Sequence, residues 1–295
     1  MLTYLQAVVI GLLQGVSELF PVSSLGHSVV VPALIGGDWQ HLVTESSQQS
    51  SESSTYLSFI VALHVATACA LLVFYWRDWV RIIVAFFRSV GRMARTTRWD
   101  VRGSDERLAW LIIIGTIPVG LTGVLFEHFF RTLFAKPFAA AVFLAVNGLI
   151  LLGGEQLRRR SEVRTSHRKL STLAYPEAGV IGAFQTLALF AGISRAGITM
   201  VAGLLRGLDH EDAAKFAFLL ATPVIFAAGL LKLPALFGAA GANIHGQVLV
   251  GALVAGVAAY FSVAFLTRYF RTRTLTPFGI YCLLFGAACA TRFAF

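Results

Sequence analysis

Residues 4–36 read YLQAVVIGLLQGVSELFPVSSLGHSVVVPALIG, an apolar run cut in its middle at Phe20-Pro21-Val22-Ser23-Ser24. Proline lacks an amide hydrogen and clashes with the preceding helical turn, and serines favour a cap over a helix interior. The run therefore reads as two helical arms, each short of the roughly 20 apolar residues that cross a bilayer. A second stretch, 178–206, has the same character and is cut at Ala191-Gly192-Ile193-Ser194-Arg195. Around these two lie six uninterrupted apolar segments, 57–76, 108–126, 137–154, 213–232, 247–266 and 276–293, each near the spanning length. The pattern predicts six spanning helices and two broken, re-entrant helix pairs.

Composition demands the same class. The 295 residues are 57% hydrophobic and 13% charged, about half the charged share of a soluble domain, and the mean hydropathy is +0.74. Such a chain cannot cover a water-soluble globule with polar surface. Disorder, a collagen-like fibre and a disulfide scaffold are excluded by the same numbers. The fold class is all-α integral membrane. Cys69, Cys282 and Cys289 all lie in apolar runs and suggest no disulfide framework. The start does not resemble a cleaved signal peptide, since residues 1–10 carry no positive charge and Gln14 and Glu18 interrupt the apolar run.

The order of segments, one broken run and three spans, then the same again, is that of a duplication: residues 1–174 form a first repeat and 175–295 a second. An offset of 171 lays Gln14 on Gln185, Val22 on Ile193, Ser23 on Ser194 and Gly26 on Gly197. Smaller offsets lay Ala62, Ala66 and Thr67 on Ala217, Ala221 and Thr222, and Pro137-Phe138 on Pro277-Phe278. If each broken run returns to its own side, every repeat crosses three times and the two have inverted topology. Loops 77–107, with eight arginines, 155–174, with five arginines and Lys169, and 267–275, with Arg268, Arg271 and Arg273, then share one side. The other side receives only Arg131, Lys136, Lys232 and Arg292. That bias marks the inner face, so the net charge of +9 is topology and no nucleic acid is expected as a partner. Residues 82–87, apolar between arginines, read as an interfacial helix. The Gln-, Ser- and Glu-rich run 38–55 reads as a flexible external excursion.

Of fifteen acidic residues, only Glu18 sits within an apolar arm away from its ends, and Arg195 is similarly isolated at the second break. An ionisable residue inside the bilayer is expensive and marks function. The repeat brings Glu18, Ser23, Ser24 and His27 opposite Ser194, Arg195 and Thr199; the bland alternative is a structural Glu18–Arg195 pair. Gly192 and Gly197 flank the second break, whose freed amides at a helix start suit an anion, phosphate above all. Two hydroxyls and the flat guanidinium fork add to this. His27 offers a base, an acid or a nucleophile. His64, inside the first full span, reads equally as a functional or a merely satisfied polar residue. Gln14 lies one helical turn before Glu18 and faces the same way.

Gln14-Gly-Val-Ser-Glu18-Leu-Phe-Pro-Val-Ser-Ser-Leu-Gly-His27 and Ala191-Gly-Ile-Ser-Arg-Ala-Gly-Ile-Thr199 together resemble the undecaprenyl-pyrophosphate phosphatase family linked to bacitracin resistance. Ala62-Leu-His-Val-Ala-Thr67 and Phe216-Ala-Phe-Leu-Leu-Ala-Thr-Pro223 extend the similarity over the whole chain. The resemblance implies an inverted repeat with re-entrant helices in the bacterial inner membrane. It implies an enzyme of cell-wall lipid recycling that removes one phosphate from undecaprenyl diphosphate, with a divalent cation, Mg²⁺ or Ca²⁺, as cofactor. By that pattern Glu18, Ser24, His27 and Arg195 are catalytic, with Glu18 also the candidate metal ligand, while Gln14, Ser23, Gly192, Ser194, Gly197 and Thr199 bind substrate. The family usually has Glu where Gln14 stands, and Pro and Ser where Ala191 and Ala196 stand. Lipid diphosphate and membrane lipids are the expected partners, the site is expected to open to the outer face, and a homodimer is left open. Broken helices in an inverted repeat are also a transporter architecture, so lipid-phosphate flipping without hydrolysis is the alternative reading.

Overall fold

A computed structural model describes residues 2–48, 55–126, 136–160, 168–232, 237–238 and 244–295. Among these are twelve α-helices: α1 (Tyr4–Ser17), α2 (Ser24–Ile35), α3 (Gly37–Gln48), α4 (Thr55–Phe74), α5 (Trp76–Thr96), α6 (Ser104–Leu125), α7 (Pro137–Arg160), α8 (Tyr175–Gln185), α9 (Arg195–Leu205), α10 (His210–Lys232), α11 (His245–Tyr269) and α12 (Thr276–Ala294). Six of them, α4, α6, α7, α10, α11 and α12, are long and apolar enough to cross a membrane, and they match the six expected spans. The chain is an all-α, multi-pass membrane protein.

The two broken runs are as short as expected. With 14 and 12 residues, α1 and α2 reach about 21 and 18 Å at 1.5 Å per residue, well below the roughly 30 Å of hydrocarbon. A capping box starts α1: the Gln6 amide donates to Thr3 Oγ1 at 3.2 Å and the Thr3 amide to Gln6 Oε1 at 2.8 Å. Pro21 ends the first arm's hydrogen bonding, and a 3-10 turn, Thr186–Leu189, ends the second.

Both ends of each broken run meet at one end of the bundle. Arg168 donates to Glu177 at the start of α8 (2.8 Å) and to the Arg206 carbonyl just past α9 (2.9 Å). Leu2, before α1, and Trp39, after α2, share a cluster with Tyr56 and Ile244 at the starts of α4 and α11. The other cluster holds Leu170, Leu208, Phe270 and Leu275, at the far end of α11. The runs thus enter from opposite ends. Their tips overlap, because Leu19 belongs to the second cluster and Ala191 to the first.

Two close crossings seat the arms. A Cβ on Gly15 of α1 would lie 2.3 Å from the Ala255 carbonyl oxygen of α11, and one on Gly182 of α8 would lie 2.3 Å from that of Gly115 on α6. By the offset of 171, Gly182 is the counterpart of Gly11, which meets Gly251 on α11 in the same way.

Two expectations are corrected. The run 38–55 is not a loop in its first part, since α3 covers Gly37–Gln48. It lacks proline, and Asp38 in its first turn complements the helix dipole. Residues 49–54 lie outside the described ones. The helix expected over 82–87 is far longer, because α5 runs unbroken over Trp76–Thr96.

The crossings make a stability prediction. Gly15→Ala should lose about 1–3 kcal/mol through overpacking and several degrees of Tm in detergent, whereas Gly120→Ala, whose new Cβ meets nothing within 4 Å, should be neutral. Equal melting of the two variants would refute the close α1–α11 approach.

Candidate active site

Each break ends in a serine that caps the helix after it. Ser23 precedes α2 and Ser194 precedes α9; their Oγ atoms accept from the amides of Gly26 (3.2 Å) and Gly197 (3.1 Å). These are the residues that the offset of 171 superimposes. Ser23 has φ +69°, a region that side chains other than glycine adopt at a cost. The Gly192 amide of the other break holds it there, donating to Ser23 Oγ at 3.2 Å. Asn147 of α7 completes the tie: its Nδ2 donates to the Pro21 carbonyl (3.1 Å) and its Oδ1 accepts from the Ser194 amide (3.0 Å). The N-termini of α2 and α9 are thereby brought together, with the positive ends of both dipoles and their first free amides converging.

Between them lies Glu18, 7% exposed. Its Oε1 accepts from Arg195 Nη2 at 2.6 Å. Its Oε2 accepts from Gln14 Nε2 at 3.1 Å and from the Ser24 hydroxyl, and lies 3.2 Å from His64 Nε2. The other ring nitrogen of His64, Nδ1, lies 2.8 Å from the Ile60 carbonyl oxygen. The ring is thus held between a carboxylate and a carbonyl oxygen. Four segments, α1, α2, α4 and α9, meet on this one carboxylate.

A cavity of about 250 Å³ opens above it. Its floor is polar: Glu18, Ser23, Ser24, His64, Ser194 and Arg195. Its walls are apolar, from Leu57, Ile60 and Val61 of α4, Val119 of α6, Leu189 of the 3-10 turn and Val224 and Ile225 of α10. Leu57, near the start of α4, and Gly229, near the end of α10, line its part nearest the end of the bundle poor in Lys and Arg. Arg195 Nη1 is buried there with no hydrogen-bond partner among the described residues. A guanidinium with a spare donor beside a cavity, at the meeting of two helix N-termini, is a seat for an anion.

The other expected residues are near but do not line the cavity. Gln14 stands behind Glu18 as a hydrogen-bond donor. His27 turns away, its Nδ1 2.7 Å from the Ser23 carbonyl oxygen and its Nε2 2.8 Å from Tyr281 Oη, with its ring against Tyr281 and Phe285 of α12. The Thr199 hydroxyl donates to the Arg195 carbonyl at 2.7 Å, steadying the first turn of α9. Gly192 (φ +115°) and Gly197 serve packing: a Cβ on Gly192 would lie 2.4 Å from the Ala140 carbonyl oxygen, and one on Gly197 would press on Leu151 and Pro21. The histidine at the carboxylate is His64. Asn147 is the residue the sequence reading missed, although a lone asparagine in an apolar span was the available signal.

The sequence profile described as bacitracin resistance protein BacA matches residues 7–288, which include every residue of this site. The chain belongs to the BacA family. Among its relatives, Undecaprenyl-diphosphatase 2 of Frankia alni is 60% identical, covering 99% of this chain and 98% of that protein. The Undecaprenyl-diphosphatase of Mycolicibacterium paratuberculosis is 55% identical, covering 97% and 96%, and that of Mycobacterium avium is 55% identical over the same shares.

A resident divalent cation does not fit the donor set of this BacA member. Among the described residues no group of three His, Cys, Asp or Glu side chains converges. The single carboxylate, Glu18, has both oxygens engaged, one of them by a guanidinium at 2.6 Å. Hard cations need several oxygen ligands, and among the described residues the spare ones near the cavity are two neutral amide oxygens, the buried Gln14 Oε1 and Gln185 Oε1. Gln14→Glu would set a second carboxylate beside the first. That variant should bind Mg²⁺ about tenfold or more tightly in the absence of substrate, read by titration calorimetry of the purified protein. Unchanged affinity would show that the Gln14 face holds no cation in either form.

Proposed function

We propose that this chain is a membrane phosphatase that hydrolyses undecaprenyl diphosphate to undecaprenyl phosphate and orthophosphate, recycling the cell-wall lipid carrier. The observation that carries the reading is the spare Arg195 Nη1 donor above Glu18, in a chain 60% identical to an undecaprenyl-diphosphatase. The polar floor suits a diphosphate and the apolar walls suit the first part of an isoprenoid tail.

In the resting site, Glu18 occupies the place of an anion, neutralising Arg195 and facing His64. The diphosphate competes for Arg195, for His64 and for the free amides of α2 and α9, and leaves Glu18 with Ser24. A serine hydroxyl donating to a carboxylate is the arrangement of an activated nucleophile. Ser24 Oγ attacks the terminal phosphorus, its proton passes to Glu18, and the bond to the bridging oxygen breaks, releasing undecaprenyl phosphate. Water then cleaves the phosphoserine to orthophosphate. Arg195 and the helix amides stabilise the charge on the transferring group. A Mg²⁺ or Ca²⁺ ion would arrive on the substrate's own phosphates. His27, held between Ser23 and Tyr281, fixes the turn that carries Ser24. Flipping of the lipid without hydrolysis is not favoured, because it would leave the Ser24–Glu18 contact without a task.

The setting we propose is the bacterial plasma membrane, with repeats 1–174 and 175–295 in inverted topology, the basic loops inside and the cavity open to the outer face. The opposite sides from which the broken runs enter and the scarcity of Lys and Arg at the end of the bundle nearest Leu57 and Gly229 support it.

Phosphate release by the purified protein tests the chemistry. Arg195→Lys keeps the charge but loses the planar fork, and should lower kcat/KM by about a hundredfold or more; Ser24→Ala should fall at least as far. Near-normal release by the lysine variant would mean that bulk charge suffices and that no phosphate clamp exists.

Topology is tested in intact cells with the native cysteines replaced by alanine. A cysteine at Asp38 should react with an impermeant thiol reagent, and one at Arg160 should not. Labelling of both would reject the proposed orientation.

A further inference from the structure

Helix α5 has three faces. At 100° per residue, Ile82, Ala85 and Ser89 fall on one face, and all three are buried. There Trp110 Nε1 of α6 donates to Ser89 Oγ at 3.1 Å, and the Phe86 ring lies 5.4 Å from that of Trp110. A second face carries Trp76, Val80, Ile83, Val84, Phe87 and Val90, all exposed, with Trp76 at 56% and Phe87 at 67%. Between the two runs a stripe of arginines, Arg77, Arg81, Arg88, Arg92 and Arg95.

The stripe is only partly neutralised from within. Arg81 pairs with Asp78 at 2.8 Å, and Arg92 with Glu106 and Asp100. Arg77, Arg88 and Arg95 have no acidic partner among the described residues, and Arg77 rests over the Trp76 ring at 5.4 Å. Their guanidinium groups point to an occupant that is apolar beside one face and anionic beside the next. A second copy meets the first demand but not the other, because it would set two arginine stripes side by side. The edge of a bilayer containing anionic lipid meets both.

We propose that α5 is a docking surface for anionic phospholipid. Its outer apolar face lies at the acyl boundary, and Arg77, Arg88 and Arg95 bind headgroup phosphates as charge-assisted forks. At about 30 Å, the helix spans several headgroups, and Trp76 anchors its start in the interface. The surface lies outside the cavity and does not depend on the proposed reaction.

The test uses the full-length protein in detergent, equilibrated with equal parts phosphatidylglycerol and phosphatidylcholine of matched chains, with retained lipid read by native mass spectrometry. The wild type should retain phosphatidylglycerol preferentially. Arg88→Gln should lower that preference about fivefold, and the triple change Arg77→Gln, Arg88→Gln, Arg95→Gln on the order of a hundredfold, at about a factor of five for each arginine. Arg292→Gln, on the last turn of α12, should leave it unchanged. Unaltered phosphate release in detergent shows that a variant is folded; were the triple variant to lose it, Arg88→Gln alone decides. Equal retention of both lipids by the wild type, or an unchanged preference in Arg88→Gln, would overturn the proposal. A dimer mass abolished by Phe87→Ser would assign the face to a second copy instead.

Discussion

A lone carboxylate in the middle of a bilayer must be surrounded by donors. Leaving it uncompensated costs several kcal/mol even after relaxation, and removing one partner of a buried pair typically costs about 3–5 kcal/mol. Glu18 meets that constraint with Gln14, Ser24, His64 and Arg195, drawn from four helical segments. The breaks, the crossing arms and the cavity floor can all be understood as the framework that delivers those donors. The same donors are the groups that would hold a phosphate, so the resting site keeps an internal anion where an external one would sit.

The framework is made of backbone as much as of side chains. Two short helices are stopped inside the bundle, which leaves amides that an uninterrupted span would have consumed. Their capping serines come from corresponding places in the two halves, yet they do different work. Ser23 accepts from its own helix and from the opposite break, while Ser194 receives help from Asn147 through its amide. The asymmetry gives the site one carboxylate and one guanidinium, contributed by different halves.

Much of this was legible in the residues. The bilayer dictates helix length, so the six spans could be read from apolar runs, and Pro21 and Gly192 located the breaks. Isolation in apolar sequence identified Glu18 and Arg195 as a pair across 177 positions. Direction was not legible. His27 lies three residues from Ser24, but the Ser23 carbonyl and Tyr281 draw its ring to the far side of α2. His64, 46 residues from Glu18 in sequence, arrives because α4 and α1 both pack on α11. Thr199 spends its hydroxyl on its own helix, as Ser and Thr commonly do when a carbonyl one turn back is available. The length of α5 was hidden because its apolar positions are shared between two faces, protein and bilayer.

Asn147 has a mechanical consequence. Its one amide group holds the Pro21 carbonyl of one break and the Ser194 amide of the other, and the Gly192–Ser23 bond lies alongside. The two tips are therefore stitched into a single block inside the bundle. Rocking one half against the other, as a carrier does, would break these bonds. Whatever motion admits a lipid headgroup must be a parting of the apolar walls, with α4, α6 and α10 yielding around a floor that stays still.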